Sequence, residues 1–227
     1  MELVTGGAGF IGSHLVDSLV SKGLKVRVLD NFSSGRKEFL EHHSETNNVE
    51  IIIADLLDLD AVKSAMNGIE TVHHLAANPD IRLGTEITDT DLQQGTIATY
   101  NVLEAMRHNG VKRISFASSS AIYGEASVMP TPETYGPVLP ISLYGASKLA
   151  SEALISSWCG TFGGEAWINR FANIVGPRGT HGVIFDFIHK LKKDPNRLEV
   201  LGNGLQEKSY MSAEDCVRAM VHLIDNA

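Results

Sequence analysis

Short apolar runs alternate along the 227 residues with stretches in which apolar residues recur every three or four positions. The first pattern marks strands and the second marks amphipathic helices. Leu3-Val4-Thr5 reads as a first strand and Ser13–Lys22 as a helix, with Leu15, Leu19 and Val20 on one face and Gly23 as its stop. Lys25–Asp30 reads as a second strand. Val49–Ala54 reads as a third, whose nearly continuous apolar run predicts cover on both faces. A short helix at Leu59–Met66, a strand at Thr71–Leu75, a long helix at Asp89–Asn109 and a strand at Arg113–Ala117 follow. Gly124–Pro140 is a proline-containing loop, Leu143–Cys159 a helix and Ala166–Phe171 a sixth strand. Beyond it the alternation weakens. Val183–Lys193 and Glu214–Asp225 read as helices, and Leu198-Glu199-Val200 as a short strand. Strands alternating with helices predict βαβ units and a parallel sheet, an α/β protein.

Composition narrows the function classes. Hydrophobic residues make up 43% and charged residues 20%, the balance of a globular protein. A net charge of -8 argues against binding nucleic acid, whose phosphates would repel it. No run of about 18 apolar residues is present, so no membrane span is expected. The opening Met1-Glu2-Leu3-Val4 has no basic, apolar leader, which makes the cytoplasm the expected compartment. Cys159 and Cys216 read as small buried hydrophobes rather than a disulfide. The pairs His42-His43 and His73-His74 are not expected to hold a metal, because neighbours on a strand point to opposite faces.

Candidate chemistry begins in the first turn. Thr5-Gly6-Gly7-Ala8-Gly9-Phe10-Ile11-Gly12 contains G-x-G-x-x-G, and has Gly6, Gly9 and Gly12 at three-residue steps. Glycines let a backbone turn tightly against a pyrophosphate, and the following helix points its N-terminal N–H groups at it. The strand before, the helix after and an acid closing the second strand form the context this motif requires. That acid, Asp30, suits the adenosine ribose and repels a 2′-phosphate, favouring NAD over NADP, although Arg36 lies close in sequence. The expected fold is therefore a Rossmann-type doubly wound parallel sheet. Asp55, after the third strand, reads equally as an adenine contact and as a helix cap.

Tyr144 and Lys148 stand four residues apart on one helix, so both side chains share a face. A phenol near pKa 10 is a poor base at neutral pH, but an adjacent ammonium favours its phenolate. The pair then serves for general acid–base work on a hydroxyl. Ser118-Ser119-Ser120 follows the fifth strand, where loops line the ligand crevice of such sheets, and one of its hydroxyls would hold the substrate oxygen. No G-x-S-x-G elbow and no phosphate-binding G-x-x-x-x-G-K-[ST] loop occurs.

Taken in order, TGGAGFIGSH at 5–14, Asp30-Asn31, His74-Leu75-Ala76-Ala77, SSSAIYG at 118–124, YGASK at 144–148 and RFANIVGPR at 170–178 resemble the extended short-chain dehydrogenase/reductases. Within them the chain is most similar to the NAD-dependent nucleotide-sugar epimerases of the UDP-glucose (UDP-galactose) 4-epimerase type. The resemblance implies that Tyr144 is the catalytic base and acid, that Lys148 holds the nicotinamide ribose, and that Ser120 binds the sugar O4. It implies a cofactor site of Gly6, Gly9, Phe10, Ile11 and Gly12 at the pyrophosphate, and Asp30, Asn31, Ser34 and Gly35 at the adenosine ribose. Asp55 and Leu56 would meet the adenine, Leu75, Ala76, Ala77 and Ser118 would line the groove, and Phe171 would lie by the nicotinamide. Asn173, His181, Val183 and Lys208 would take the nucleotide part of a UDP-sugar. The implied reaction is redox-neutral: proton to Tyr144, hydride to NAD, turnover of a 4-keto sugar, and return of hydride to the opposite face.

Related dehydratases carry an Asp-Glu pair, and UDP-glucuronate decarboxylases a Glu, where this chain has Ser120-Ala121, so epimerisation is the implied chemistry. The family also implies a homodimer through the helices at 89–109 and 143–159. Residues 1–172 would form the NAD-binding domain. Residues 173–227 would form a small, truncated substrate lobe interleaved with it, since family members continue past this length. Two departures stand out. Gly95 occupies the place of a usual Asn, which should loosen its helix by about 1 kcal/mol. Met211-Ser212-Ala213 is more polar than the strand expected there.

Overall fold

A computed structural model of the chain describes residues 1–205 and 207–226. Six parallel strands form one sheet: β1 (Glu2–Thr5), β2 (Val26–Asp30), β3 (Val49–Ile53), β4 (Thr71–His74), β5 (Arg113–Ser119) and β6 (Glu165–Phe171), in the order β3-β2-β1-β4-β5-β6. The order reverses direction next to β1, between β1 and β4, and that reversal opens a crevice at the carboxyl ends of the strands.

Alternating side chains of each strand feed two cores. Leu3 joins Leu29, Val72, Ile114 and Phe116 beneath α2 (Leu59–Ala65), α4 (Ala98–Asn109) and α5 (Leu143–Phe162). Val4, the next residue, joins Val28 on the opposite face, beneath α1 (Phe10–Ser21) and α7 (Ala213–Asn226). Cys216 is buried in this second core with Val217 and Met220, while Cys159 is half-buried; both thiols are free. The segment after residue 172 therefore divides. β7 (Asn173–Val175) and β8 (Tyr210–Ser212) form a separate parallel pair, α6 (Val183–Lys193) lies outside both cores, and α7 returns to the sheet.

Four expectations need correction. β3 is an edge strand, with Ile51 and Ile53 exposed, so its apolar run does not signal two covered faces. Leu198–Val200 forms no strand; the partner of β7 is the more polar Tyr210–Ser212. α1 begins at Phe10, three residues before the expected Ser13, because the glycine turn is tight enough to lead straight into helix. The long helix is interrupted: Leu92–Ile97 is wound as a π-helical segment before α4 begins at Ala98. A four-residue helix, α3 (Leu83–Glu86), precedes that segment.

Candidate active site

The phosphate-binding turn is held by backbone hydrogen bonds and by the Asp30 side chain. Gly9 N donates to Gly6 O and Gly6 N to Leu29 O. Gly6 has φ +69, and a Cβ there would sit 2.8 Å from the Ala76 backbone. A Cβ on Gly12 would fall 2.1 Å from Gly6 O, so helix and turn approach as only glycine allows. α1 has no side-chain cap and no acid in its first turn. Its leading N–H groups thus keep no protein partner, and Phe10, Ile11 and Gly12 line the crevice. This is a cradle for an anion.

Asp30 sits at the end of β2 with its carboxylate buried under the turn. Oδ2 accepts from Ala8 N at 2.9 Å and Oδ1 from Phe32 N at 2.8 Å. Both oxygens retain a second lone pair, and the residue lines the crevice beside Asn31, Ser34 and Gly35. Asp55 is not the cap of α2. The cap of α2 is Asp58, whose side chain accepts from Ala61 N. Asp55 instead accepts from Leu57 N and from the Asn31 side-chain amide, fixing Asn31 at the crevice wall. Leu56, Leu75, Ala76, Ala77 and Phe171 all lie on that wall.

Ser142 caps α5 by accepting from Gly145 N at 3.0 Å, which fixes the first turn that carries Tyr144. Lys148, one turn on, is fully buried. Its Nζ donates to Ala117 O at 2.6 Å and lies 4.8 Å from the Phe116 ring and 5.7 Å from the Tyr144 ring. Burial lowers its pKa to about 8, against the pull of Asp91 and Glu152. The Tyr144 phenol is raised above its ordinary value, chiefly by burial, with Asp91 adding to the rise and the Ser119 hydroxyl opposing it. The expectation that Lys148 lowers the phenol is thus not met by this arrangement alone. The ammonium is itself discouraged by burial and is turned toward a carbonyl.

The serine cluster divides its work. Ser118 lines the crevice as expected, while its Oγ donates to Glu152 Oε1 at 2.5 Å, and Glu152 also pairs with Arg170 at 2.8 Å. Ser119 neighbours Tyr144, opposing the rise of its pKa, and its hydroxyl accepts from Ala121 N. Ser120, the expected substrate contact, is exposed and opens a 3-10 turn at Ser120–Tyr123. Strand alternation explains the outcome. β5 runs to Ser119, so Ser118 and Ser119 alternate in direction, and Ser120 opens the turn that borders a second cleft.

Tyr144, Ser119 and Ser120 also line a second, adjoining cleft with Asn173, His181 and Lys208; Val183 does not reach it. The Asn173 amide donates to Ser209 O across to the β8 side. Residues not anticipated border the crevice as well, among them Ser119, Gln94, Thr180 and Ala172. Only Ser119 left a signal in the sequence, through the alternation of β5.

On β4 the two histidines do point apart. His73 pairs with Glu2, while His74 accepts from Thr5 Oγ1 and donates to Thr99 Oγ1, its pKa lowered to about 3 by burial and by Lys148. His42 and His43 behave otherwise. They lie on a 3-10 turn, Glu41–His43, and both rings reach the same carboxylate, Asp17.

The profile of the NAD-dependent epimerase/dehydratase family matches residues 2–227. A putative UDP-glucose 4-epimerase of Methanocaldococcus jannaschii is 37% identical over 96% of this chain and 72% of its own length. UDP-glucuronic acid decarboxylase 1 of Xenopus tropicalis is 33% identical over 99% of this chain, which spans about half (53%) of that protein. Among solved structures, a UDP-galactose 4-epimerase superposes with a TM-score of 0.86 at 46% identity, covering 99% of this chain and 71% of the other.

Proposed function

The chain belongs to the NAD-dependent epimerase/dehydratase family, and from that premise we propose that it inverts C4 of a UDP-hexose, interconverting UDP-glucose and UDP-galactose through a 4-keto sugar. The observation that carries this reading is Tyr144 beside Ser119 at the junction of the two clefts, with Ser120-Ala121 where acid–base groups for elimination or decarboxylation would have to stand.

In the proposed reaction Tyr144 takes the proton of the C4 hydroxyl and later returns it. Ser119 donates to the C4 oxygen or to the phenolate, holding the two oxygens at proton-transfer distance. Lys148 is anchored by Ala117 O and keeps further N–H donors for a ribose hydroxyl at the crevice floor. Gly6, Gly9 and the first turn of α1 would hold the pyrophosphate of NAD, and Asp30 would accept from its adenosine ribose. Bound there, NAD would supply reversible hydride chemistry at C4. Asn173, His181 and Lys208 border the cleft assigned to the nucleotide diphosphate.

A homodimer through the outer faces of α4 and α5 is part of the same proposal; Leu92, Ile97 and Tyr100 leave apolar surface exposed there. No helix among the described residues is long and apolar enough to cross a membrane. The proposed compartment is the cytoplasm. Incubation with UDP-galactose and with UDP-glucose tests the activity. Interconversion is expected. Bound NAD without turnover of either would make the chain a cofactor-binding unit and end the epimerase reading.

A further inference from the structure

Further along α1 lies a cluster that the proposed reaction does not use, joined through Arg178 to the border of the second cleft. Asp17 projects from α1, and His42 and His43 from the 3-10 turn that follows the adenosine-side loop. Nε2 of His42 and Nε2 of His43 each donate to Asp17 Oδ1 at 2.7 Å. The ring centroids are 4.0 Å apart, and one ligand atom from each of the three residues lies within 4.8 Å of the others. The second carboxylate oxygen, Oδ2, pairs with Arg178 Nη1 at 2.9 Å.

We propose that Asp17, His42 and His43 form a binding site for a divalent transition-metal ion of the zinc class. Two imidazoles and one carboxylate are the donors that zinc, cobalt and nickel prefer, whereas magnesium and calcium take all-oxygen sites. The geometry needs little adjustment. A tetrahedral ion with bonds of about 2.0–2.1 Å holds its ligand atoms roughly 3.3 Å apart. Each N···O separation therefore opens by about half an ångström as the ion replaces two hydrogen bonds. His43 is nearly buried and Asp17 is tethered, but the His42 side chain is 48% exposed and free to swing. The ion takes the Nε2 lone pair of each neutral ring, so the ring proton moves to Nδ1. Arg178 grips the far carboxylate oxygen, the kind of outer partner that orients a ligating carboxylate. Its positive charge also opposes the dication, so the ion is exchangeable. The fourth position faces solvent on the His42 side.

Filling this site joins three segments: α1, the turn at 41–43 and, through Arg178, the loop after β7. The loop before the turn rests on the phosphate-binding segment, where Arg36 N donates to Ala8 O. Metal should therefore stiffen the wall behind the adenosine site without touching the reacting atoms.

The test uses the full chain stripped with a chelator, titrated with Zn²⁺ alone by calorimetry and with Co²⁺ alone by visible absorption. One equivalent is expected to bind, with ligand-field bands for Co²⁺ and a higher Tm with Zn²⁺. His42→Gln and Asp17→Asn should each weaken binding by at least about tenfold while far-UV circular dichroism stays unchanged. Because His42 is exposed, its variant keeps the fold and isolates the ligand role. Absence of stoichiometric binding overturns the proposal, as does equal affinity in the wild type and both variants, which would put the ion on other histidines.

Discussion

At Tyr144, burial raises the phenol's pKa, so the residue needs help to act as a base. The only neighbour lowering it here is Ser119. Tyr144→Phe should reduce kcat by about 10²–10⁴-fold with cofactor binding retained, the range for a lost general acid–base. Ser119→Ala should cost about 10²-fold, whereas Ser120→Ala should leave kcat near wild type. The reverse ranking of the two serines would restore the role that family resemblance gives to Ser120. Lys148 supplies a pH signature. Its folded pKa of about 8 lies below the ordinary lysine value of 10.5. Between these two pH values the unfolded chain binds the extra proton, so stability rises with pH through that window, and below about 8 the burial penalty is fully present. Thermal unfolding followed from pH 7 to 10 should show this rise in the wild type and lose it in Lys148→Met. Parallel curves would show that the ammonium is not destabilised by its site. The glycine turn, Asp30 and the Tyr144–Lys148 pair were legible in sequence because each depends on local spacing. The choice among three serines was not, because it depends on where β5 ends.

The same divide between local and tertiary information governs the elements. Periodicity located six strands of the main sheet and the principal helices, since burial on one face or two leaves a pattern in the chain itself. It did not reveal that β3 lies at an edge, nor that Glu41–His43 is a 3-10 turn bringing adjacent histidines together. Gly95 shows how a local reading takes the wrong sign. Helix propensity alone makes Gly95→Ala stabilising by about 1 kcal/mol. In the structure Gly95 is buried in the π-helical segment against α5, where an added Cβ would meet Ser147 Oγ at 2.6 Å and Ser147 Cβ at 3.0 Å. The glycine therefore lets two helices approach, and Gly95→Ala should destabilise by about 1–3 kcal/mol as overpacking does. Ser147→Ala in the same chain removes the closer contact and should recover part of the loss. Denaturant unfolding of the two single variants and the double variant measures the coupling; additive effects would mean that the helices do not meet at this point.

Across the whole molecule, the crevice draws on residues from Gly6 to His181, gathered from the carboxyl ends of β1, β2, β4, β5 and β6. A sequence read as consecutive units gives no strand order, and so no switch point; only the assembled order β3-β2-β1-β4-β5-β6 puts Gly6, Asp30, Ala76, Ser119 and Phe171 around one opening. The C-terminal strands were less legible still, because β7 and β8 are three residues each, whereas α6 was read with its own bounds, Val183–Lys193. A ligand that bridges so many segments should stabilise the molecule as one unit. NAD at about 100 times its Kd adds about 2.7 kcal/mol by mass action. For a chain of this size that raises Tm by roughly 5–10 °C. NADP should do far less, because its 2′-phosphate would meet the Asp30 carboxylate, whose position is locked by hydrogen bonds from Ala8 N and Phe32 N. The first cation after Asp30 in sequence, Arg36, is engaged over the Phe39 ring at 5.9 Å. Differential scanning fluorimetry with each dinucleotide, on the wild type and on Asp30→Asn, separates the causes. The expected result is a large shift with NAD, a small one with NADP, and a narrowed gap in the variant. Equal shifts in the wild type would mean that Arg36 swings to meet the phosphate and that Asp30 only builds the turn.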